Sequence, residues 1–506
     1  MYIKKGMSFL KHGLFIKNAA VLTVTSLILR TLGIVFRIWM SNTVGAEGMG
    51  LYQLVVSVYV LVSAFATTGI CTAVTRLTAE LGARGLGSKK ILSRGITLSL
   101  VISAVSVAAV YIGAEPISTY LIGDMRAVSS LKVLGLGIPF MGICSCLRGY
   151  FIAIRKTTAP SIGQIVEQLV RITVVVLAVT AFGTRGIEYA VAAILLGDGI
   201  AEAAGCGLLY VLYIAEKKKS TYHETSGIPV TSKMLHIAVP ITAGKYIHTA
   251  LRTVENLLVP ARISRFTGSK TKGLEQFGML KGMVMPLLFF PASFLTAFST
   301  LMIPEISEAL ERGNYRKVRN STEKSIGITV IISTLIGGVF FLCGEEISQL
   351  LYNESDTGAL VVALAPLVPF MYLECVCDGI LKGLDQQGHS FVYGVIDSVT
   401  RIILIWAILP SSGMRGFIGI MVYSNLLTSL LNIRRLLKVT KTPVKLGSWI
   451  IRPALSVTVG TAVGKLAMSG ATSLIGRLIF GGFSLSAVYL LMMFFMGELN
   501  IVDGLL

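Results

Sequence analysis

Apolar runs of about 18 to 25 positions recur along nearly the whole chain, each ended by a short polar or turn-forming stretch. A helix rises 1.5 Å per residue, so roughly 20 apolar residues cross about 30 Å of hydrocarbon. The pattern predicts about fourteen transmembrane helices. Membrane β-barrels need alternating polar and apolar positions, and the unbroken runs exclude them. The composition agrees, with 54% hydrophobic and only 14% charged residues, against about a quarter charged in soluble domains. An ordinary soluble enzyme is excluded. The 52 glycines suit helices that approach closely through small residues.

The chain is duplicated. An offset of 230 aligns Pro139-Phe140-Met141 with Pro369-Phe370-Met371, Gly149 with Gly379, Glu167 with Asp397, Arg171 with Arg401, and Arg185-Gly186 with Arg415-Gly416. Glu115-x-Ile117-Ser118 matches Glu345-x-Ile347-Ser348 at the same offset. Nearer the start an offset of about 223 pairs Arg30-Thr31 with Arg252-Thr253, Gly45 with Gly268 and Gly50-Leu51-x-Gln53 with Gly273-Leu274-x-Gln276. About six spans per half is an even number, so both halves enter the membrane from the same side. The expected fold is an all-α polytopic membrane protein with two parallel six-helix lobes and a C-terminal helix pair. The boundaries are an N-lobe at 1–214, a cytoplasmic linker at 215–236, a C-lobe at 237–440 and an appended hairpin at 441–506.

Lys and Arg number 45 against 26 acidic residues, a net charge of +19. In a soluble protein that surplus would suggest nucleic acid. Here topology accounts for it and no nucleic-acid partner is expected. The basic clusters are Lys4/Lys5/Lys11/Lys17, Arg84/Lys89/Lys90/Arg94, Arg155/Lys156, Lys217 to Lys219, Arg312/Arg316/Lys317/Arg319 and Arg434/Arg435/Lys438/Lys441/Lys445. With fourteen spans all lie on one face, which predicts a multi-pass cell-membrane protein with both termini in the cytoplasm. No small-residue cleavage site follows the first apolar run, which therefore reads as a retained helix.

Ionisable residues inside spans are costly unless they face a cavity or a partner. Glu167/Arg171, Asp397/Arg401 and Glu374/Asp378/Lys382 are spaced i,i+4, and the first two read as structural ion pairs because they recur in both halves. Asp198 and Glu202 have no local base and are candidates for ion coupling or, equally, for a cytoplasm-facing or inter-helix pairing. Arg30 and Arg37 share one face of the first helix. In the seventh, Lys245, His248, Arg252, Glu255 and Arg262 fall within an arc of about 100°. Snorkelling to the headgroups suits Arg262, whereas Arg30 and Arg252 are duplicated positions near mid-helix. A cationic cavity lined by Arg30, Arg37, Lys245, Arg252, Glu255 and Arg262 implies an anionic cargo such as a phosphate or pyrophosphate.

The seven cysteines all lie in apolar segments and imply no disulfide framework. Cys144/Cys146 and Cys375/Cys377 stand about 200° apart around their helices, so they read as buried spacers and no metal site is expected. No Walker loop, HExxH or GxSxG occurs. Neither an enzyme nor a cofactor is expected.

The run Gly45-Ala46-Glu47-Gly48-Met49-Gly50-Leu51-Tyr52-Gln53, with Thr68-Gly69-Ile70, Arg76 and Ala79-Glu80, resembles the polysaccharide-exporter branch of the multidrug/oligosaccharidyl-lipid/polysaccharide exporter superfamily. Arg148-Gly149-Tyr150-Phe151, followed by Pro160-Ser161, Gln164 and Glu167-Gln168-x-x-Arg171, is similar to the stage V sporulation protein B group, relatives of the lipid II flippases. The resemblance implies a V-shaped two-lobe fold and the flipping of an undecaprenyl-pyrophosphate-linked peptidoglycan precursor for the spore cortex. It also implies cavity-lining arginines, for which Arg30, Arg37 and Arg252 occupy comparable places. The implied partners are the lipid-linked glycan, membrane lipids and, as a further candidate, cell-wall synthesis enzymes. The rival readings are an exporter of another lipid-linked polysaccharide, a cation-coupled multidrug antiporter and a membrane scaffold. Membrane potential could drive export: moving two negative charges outward releases roughly 4.6 kcal/mol per 100 mV, inside negative.

Overall fold

The computed structural model describes residues 2–82, 88–217 and 229–498, and no strand occurs among them. Lys4, Lys5, Lys11 and Lys17 (as side chains), Arg84, and most of the linker, including Lys218 and Lys219, lie outside the described residues. Helices are the expected outcome in hydrocarbon, where every backbone N–H and C=O must be satisfied within its own segment.

Fourteen helices result among the described residues. The first 81-residue helical stretch breaks at Gly45 (φ 68°, ψ 179°), a left-handed conformation open to glycine, giving α1 (2–44) and α2 (46–82). There follow α3 (Lys89–Ile122), α4 (Ala127–Gly135 and Ile138–Ala153, bent by 41°), α5 (Thr158–Phe182), α6 (Ile187–Lys217) and α7 (Val230–Thr267). Next come α8 (Lys270–Phe289 and Ala292–Glu311, bent by 56°), α9 (Tyr315–Tyr352) and α10 (Ser355–Gly383). A second break at Gly413 (φ 56°) separates α11 (387–412) from α12 (414–440). The chain ends with α13 (Gly447–Ser469) and α14 (Leu474–Phe495). Of the fourteen, α7 is the one whose charges leave it short of the apolar content of a simple span.

The left-handed turn residues follow the sequence duplication. Gly45 and Gly268 both have φ 68°, Gly123 (77°) corresponds to Asn353 (54°), and Arg155 (60°) to Asp385 (56°). Side-chain caps start three helices: Ser269, Asn314 and Ser473 accept from the backbone N–H three residues on, at the heads of α8, α9 and α14.

Tertiary contacts group the chain into two units, Met1–Phe36 with Glu47–Ala261, and Arg37–Ala46 with Arg262–Leu506. Packing thus divides the chain elsewhere than the repeat does, because α7 as far as Ala261 belongs with the first unit. There Thr253 Oγ1 donates to the Ser57 carbonyl (3.0 Å), Asn256 Nδ2 to Ser57 Oγ (2.9 Å), and the Phe65 and Tyr246 rings stand 4.2 Å apart. The first unit's core joins Ile70, Val74, Leu92, Leu147, Phe151 and Met234. In the second unit, Asn42 Nδ2 donates to the Leu351 carbonyl (2.8 Å), and Tyr372 Oη to that of Leu288 (2.6 Å). α13 and α14 close on α9, where Tyr489 Oη donates to the Ile331 carbonyl (3.0 Å). Apolar side chains left outside, such as Phe483 and Phe495, suit contact with lipid.

The α2–α7 crossing depends on Gly69. A Cβ there would lie 2.1 Å from Thr242 Oγ1 and 2.3 Å from the Ala238 carbonyl oxygen. Gly69→Ala should therefore cost about 1–3 kcal/mol through forced separation of the helices. Gly33→Ala, which meets nothing within 4 Å, should be neutral or slightly stabilising. Thermal unfolding in detergent measures both, and equal midpoints would refute the close approach.

Candidate substrate and ion sites

The structure separates the residues expected to line one cationic arc. Arg30 and Arg252 are exposed on α1 and α7 of the first unit, as is Lys245, while His248 is half-buried. Glu255, on the same arc of α7, is buried, at 2% exposed. It lies about 60° around the helix from Arg252, whereas Thr253 and Asn256 are the residues that meet Ser57. Arg37 and Arg262 belong to the second unit and are half-buried. The Arg262 guanidinium sits 5.3 Å above the Trp406 ring, a cation–π contact.

A second cluster lies within the first unit, with Glu167 and Glu202 buried and Arg148, Arg171 and Asp198 half-buried. Arg171 Nη2 lies 2.9 Å from Glu167 Oε1, its Nε 2.9 Å from Asp198 Oδ1, and its Nη1 donates to Gln168 Oε1 (2.8 Å). Glu202 Oε1 stands further off, 3.9 Å from Arg171 Nη2. Arg148 of α4 donates through Nη2 to Glu167 Oε2. Arg148 appeared in the sequence only as part of a family motif, because a partner 19 residues away on another helix leaves no periodic signal. Asp198 and Glu202, which have no base near them on α6, thus face a guanidinium supplied by α5.

The corresponding site of the second unit has different chemistry. Asp397 Oδ2 lies 3.0 Å from Arg401 Nη2 and its Oδ1 accepts from Ser424 Oγ (2.6 Å). Glu374 Oε2 accepts from Thr428 Oγ1 (3.0 Å), and Lys382 pairs with Asp378 at 2.6 Å. All seven cysteines are free thiols. Cys144 Sγ lies with oxygens of Glu167 and Glu202 in a group whose ligand atoms are within 4.8 Å of one another.

With this geometry established, comparisons with known proteins place the chain. Residues 15–310 match the family model described as polysaccharide biosynthesis protein, and residues 280–407 match the MatE model. The chain belongs to the polysaccharide biosynthesis protein family. It is 25% identical over 455 residues to stage V sporulation protein B of Bacillus subtilis (strain 168), covering 88% of each chain. It is 25% identical over 431 residues to the lipid II flippase MurJ of the same organism, covering 77% of this chain and 76% of that one. Among solved structures, a lipid II flippase MurJ in an inward closed conformation superposes with a TM-score of 0.71 at 15% identity, over 94% of this chain and 99% of that one. An inward-facing multidrug-resistance MATE transporter gives 0.64 at 16% identity, over 83% and 100%. The fold is thus that of solved transporters of the multidrug/oligosaccharidyl-lipid/polysaccharide exporter superfamily, and the chain is a multi-pass membrane protein.

Proposed function

We propose that this protein is an alternating-access flippase that carries an undecaprenyl-pyrophosphate-linked glycan from the cytoplasmic to the outer leaflet of the cell membrane. The cargo is the peptidoglycan precursor lipid II, used for the spore cortex. The observation that carries this reading is the pair Arg30 and Arg252, duplicated mid-helix arginines that are exposed where an apolar side chain would cost nothing. Arginine on a membrane span is retained when it serves a polar pathway, and its planar fork suits a pyrophosphate. Arg37, Lys245 and Arg262 support the same anion, and both termini are cytoplasmic. The headgroup takes a polar path lined by these cations, while the undecaprenyl tail stays in lipid along a groove formed by α13 and α14.

Native mass spectrometry of the purified protein with lipid II, a second undecaprenyl-linked glycan and a cationic dye as competing ligands tests the reading. Preferential retention of lipid II, weakened by Arg30→Ala, is the expected result. Equal retention of every undecaprenyl pyrophosphate would replace peptidoglycan specificity by export of another lipid-linked polysaccharide. Dye retention alone would make the protein a multidrug antiporter.

A further inference from the structure

Two guanidinium groups, Arg148 and Arg171, meet three carboxylates, Glu167, Asp198 and Glu202, among the described residues between α4, α5 and α6. One negative charge is in excess. Both oxygens of Glu167 are taken by guanidinium nitrogens, and Asp198 by Arg171 Nε. Glu202 is 8% exposed, and its Oε2 is buried without a hydrogen-bond partner. A buried carboxylate oxygen with no donor is costly unless it acquires a positive charge.

The second half shows that the fold does not require acids here. At the 230-residue offset, Asp198 and Glu202 become Thr428 and Asn432. The extra acid of that half is Glu374, to which Thr428 donates. At this place the first half has instead Glu202, whose Oε2 lacks a hydrogen bond and whose Oε1 stands 3.9 Å from Arg171 Nη2.

We propose that Glu202 is a proton-binding site that couples proton movement to transport by the first unit. A proton suits the site better than a metal ion. A metal would have Glu202, the Cys144 thiol and an already doubly bound Glu167 as its nearest ligands, beside two guanidinium charges. A proton needs one oxygen, and Glu202 Oε2 is that oxygen. The step is Glu202 carboxylate plus one proton giving the neutral acid, which leaves two carboxylates balancing two guanidiniums. Deprotonation restores a charge 3.9 Å from Arg171 Nη2, so Glu202 then competes with Glu167 and Asp198 for that guanidinium and draws α6 toward α5. The other groups within electrostatic reach are Tyr59 and Tyr52 of α2, Cys144 of α4 and Cys206 of α6.

This inference rests on the transporter reading, but its first test needs no cargo and so can fail separately. Infrared difference spectra of the purified full chain, taken between acid and alkaline pH, should show a protonated-carboxyl carbonyl band that titrates with a single proton. The band should disappear in Glu202→Gln, shift in Glu202→Asp and persist in Glu374→Gln. In proteoliposomes, lipid flipping by the wild type should vary at least about tenfold across that titration, while Glu202→Gln flips at a rate independent of pH. A band that is absent from the wild type, fails to titrate, or survives in Glu202→Gln overturns the assignment. So does a sodium-induced rise in thermal midpoint that Glu202→Gln abolishes without any proton band.

Discussion

Alanine at Arg252 or Arg30 should abolish the ability of this protein to support cell-wall assembly in a complementation assay, while its abundance in the membrane stays at the wild-type level. Abundance is spared because both side chains are exposed, so their removal opens no cavity. Activity is lost because truncating one partner of a desolvated ion pair costs about 2–5 kcal/mol, at least roughly 30-fold in affinity. Lysine at the same positions keeps the charge but loses the bidentate fork and should restore only part of the function. Normal growth supported by both alanine variants would remove the cationic site from the mechanism.

Arg171→Ala should have the largest effect on stability. The side chain lies 2.9 Å from Glu167 and 2.9 Å from Asp198 within the first unit. Its loss removes one of the two guanidiniums that face Glu167, Asp198 and Glu202, and breaking a buried ion pair typically costs about 3–5 kcal/mol. The expected readout is a marked fall in thermal midpoint in detergent and in membrane abundance. Asp198→Asn added to the same chain should recover part of the loss, because it removes one of the stranded charges; this double-mutant cycle isolates the pair. An unchanged midpoint in Arg171→Ala would show that the cluster is hydrated rather than buried.

Much of the architecture was legible because the bilayer imposes a length and polarity rule on each span separately. Even the breaks at Gly45 and Gly268 lie in segments matched by the repeat, and the backbone there takes the same left-handed turn. The site was less legible. Periodicity along α7 placed Glu255 with Arg252, but it did not show that Arg252 is exposed while Glu255 is buried. The pairing of Arg148 with Glu167 could not be read at all, since residues on different helices share no period.

What the sequence by itself determined is therefore what local rules govern: fourteen apolar helices, a duplication with its turns, and family membership through motifs spread along both halves. Tertiary structure alone decided which unit α7 joins, that Arg171 serves acids on two helices, and that Glu202 is left with an unpartnered oxygen. The physical reason is that span formation depends on transfer of contiguous residues into lipid, whereas the pairing of buried charges depends on distances between helices that no single segment encodes.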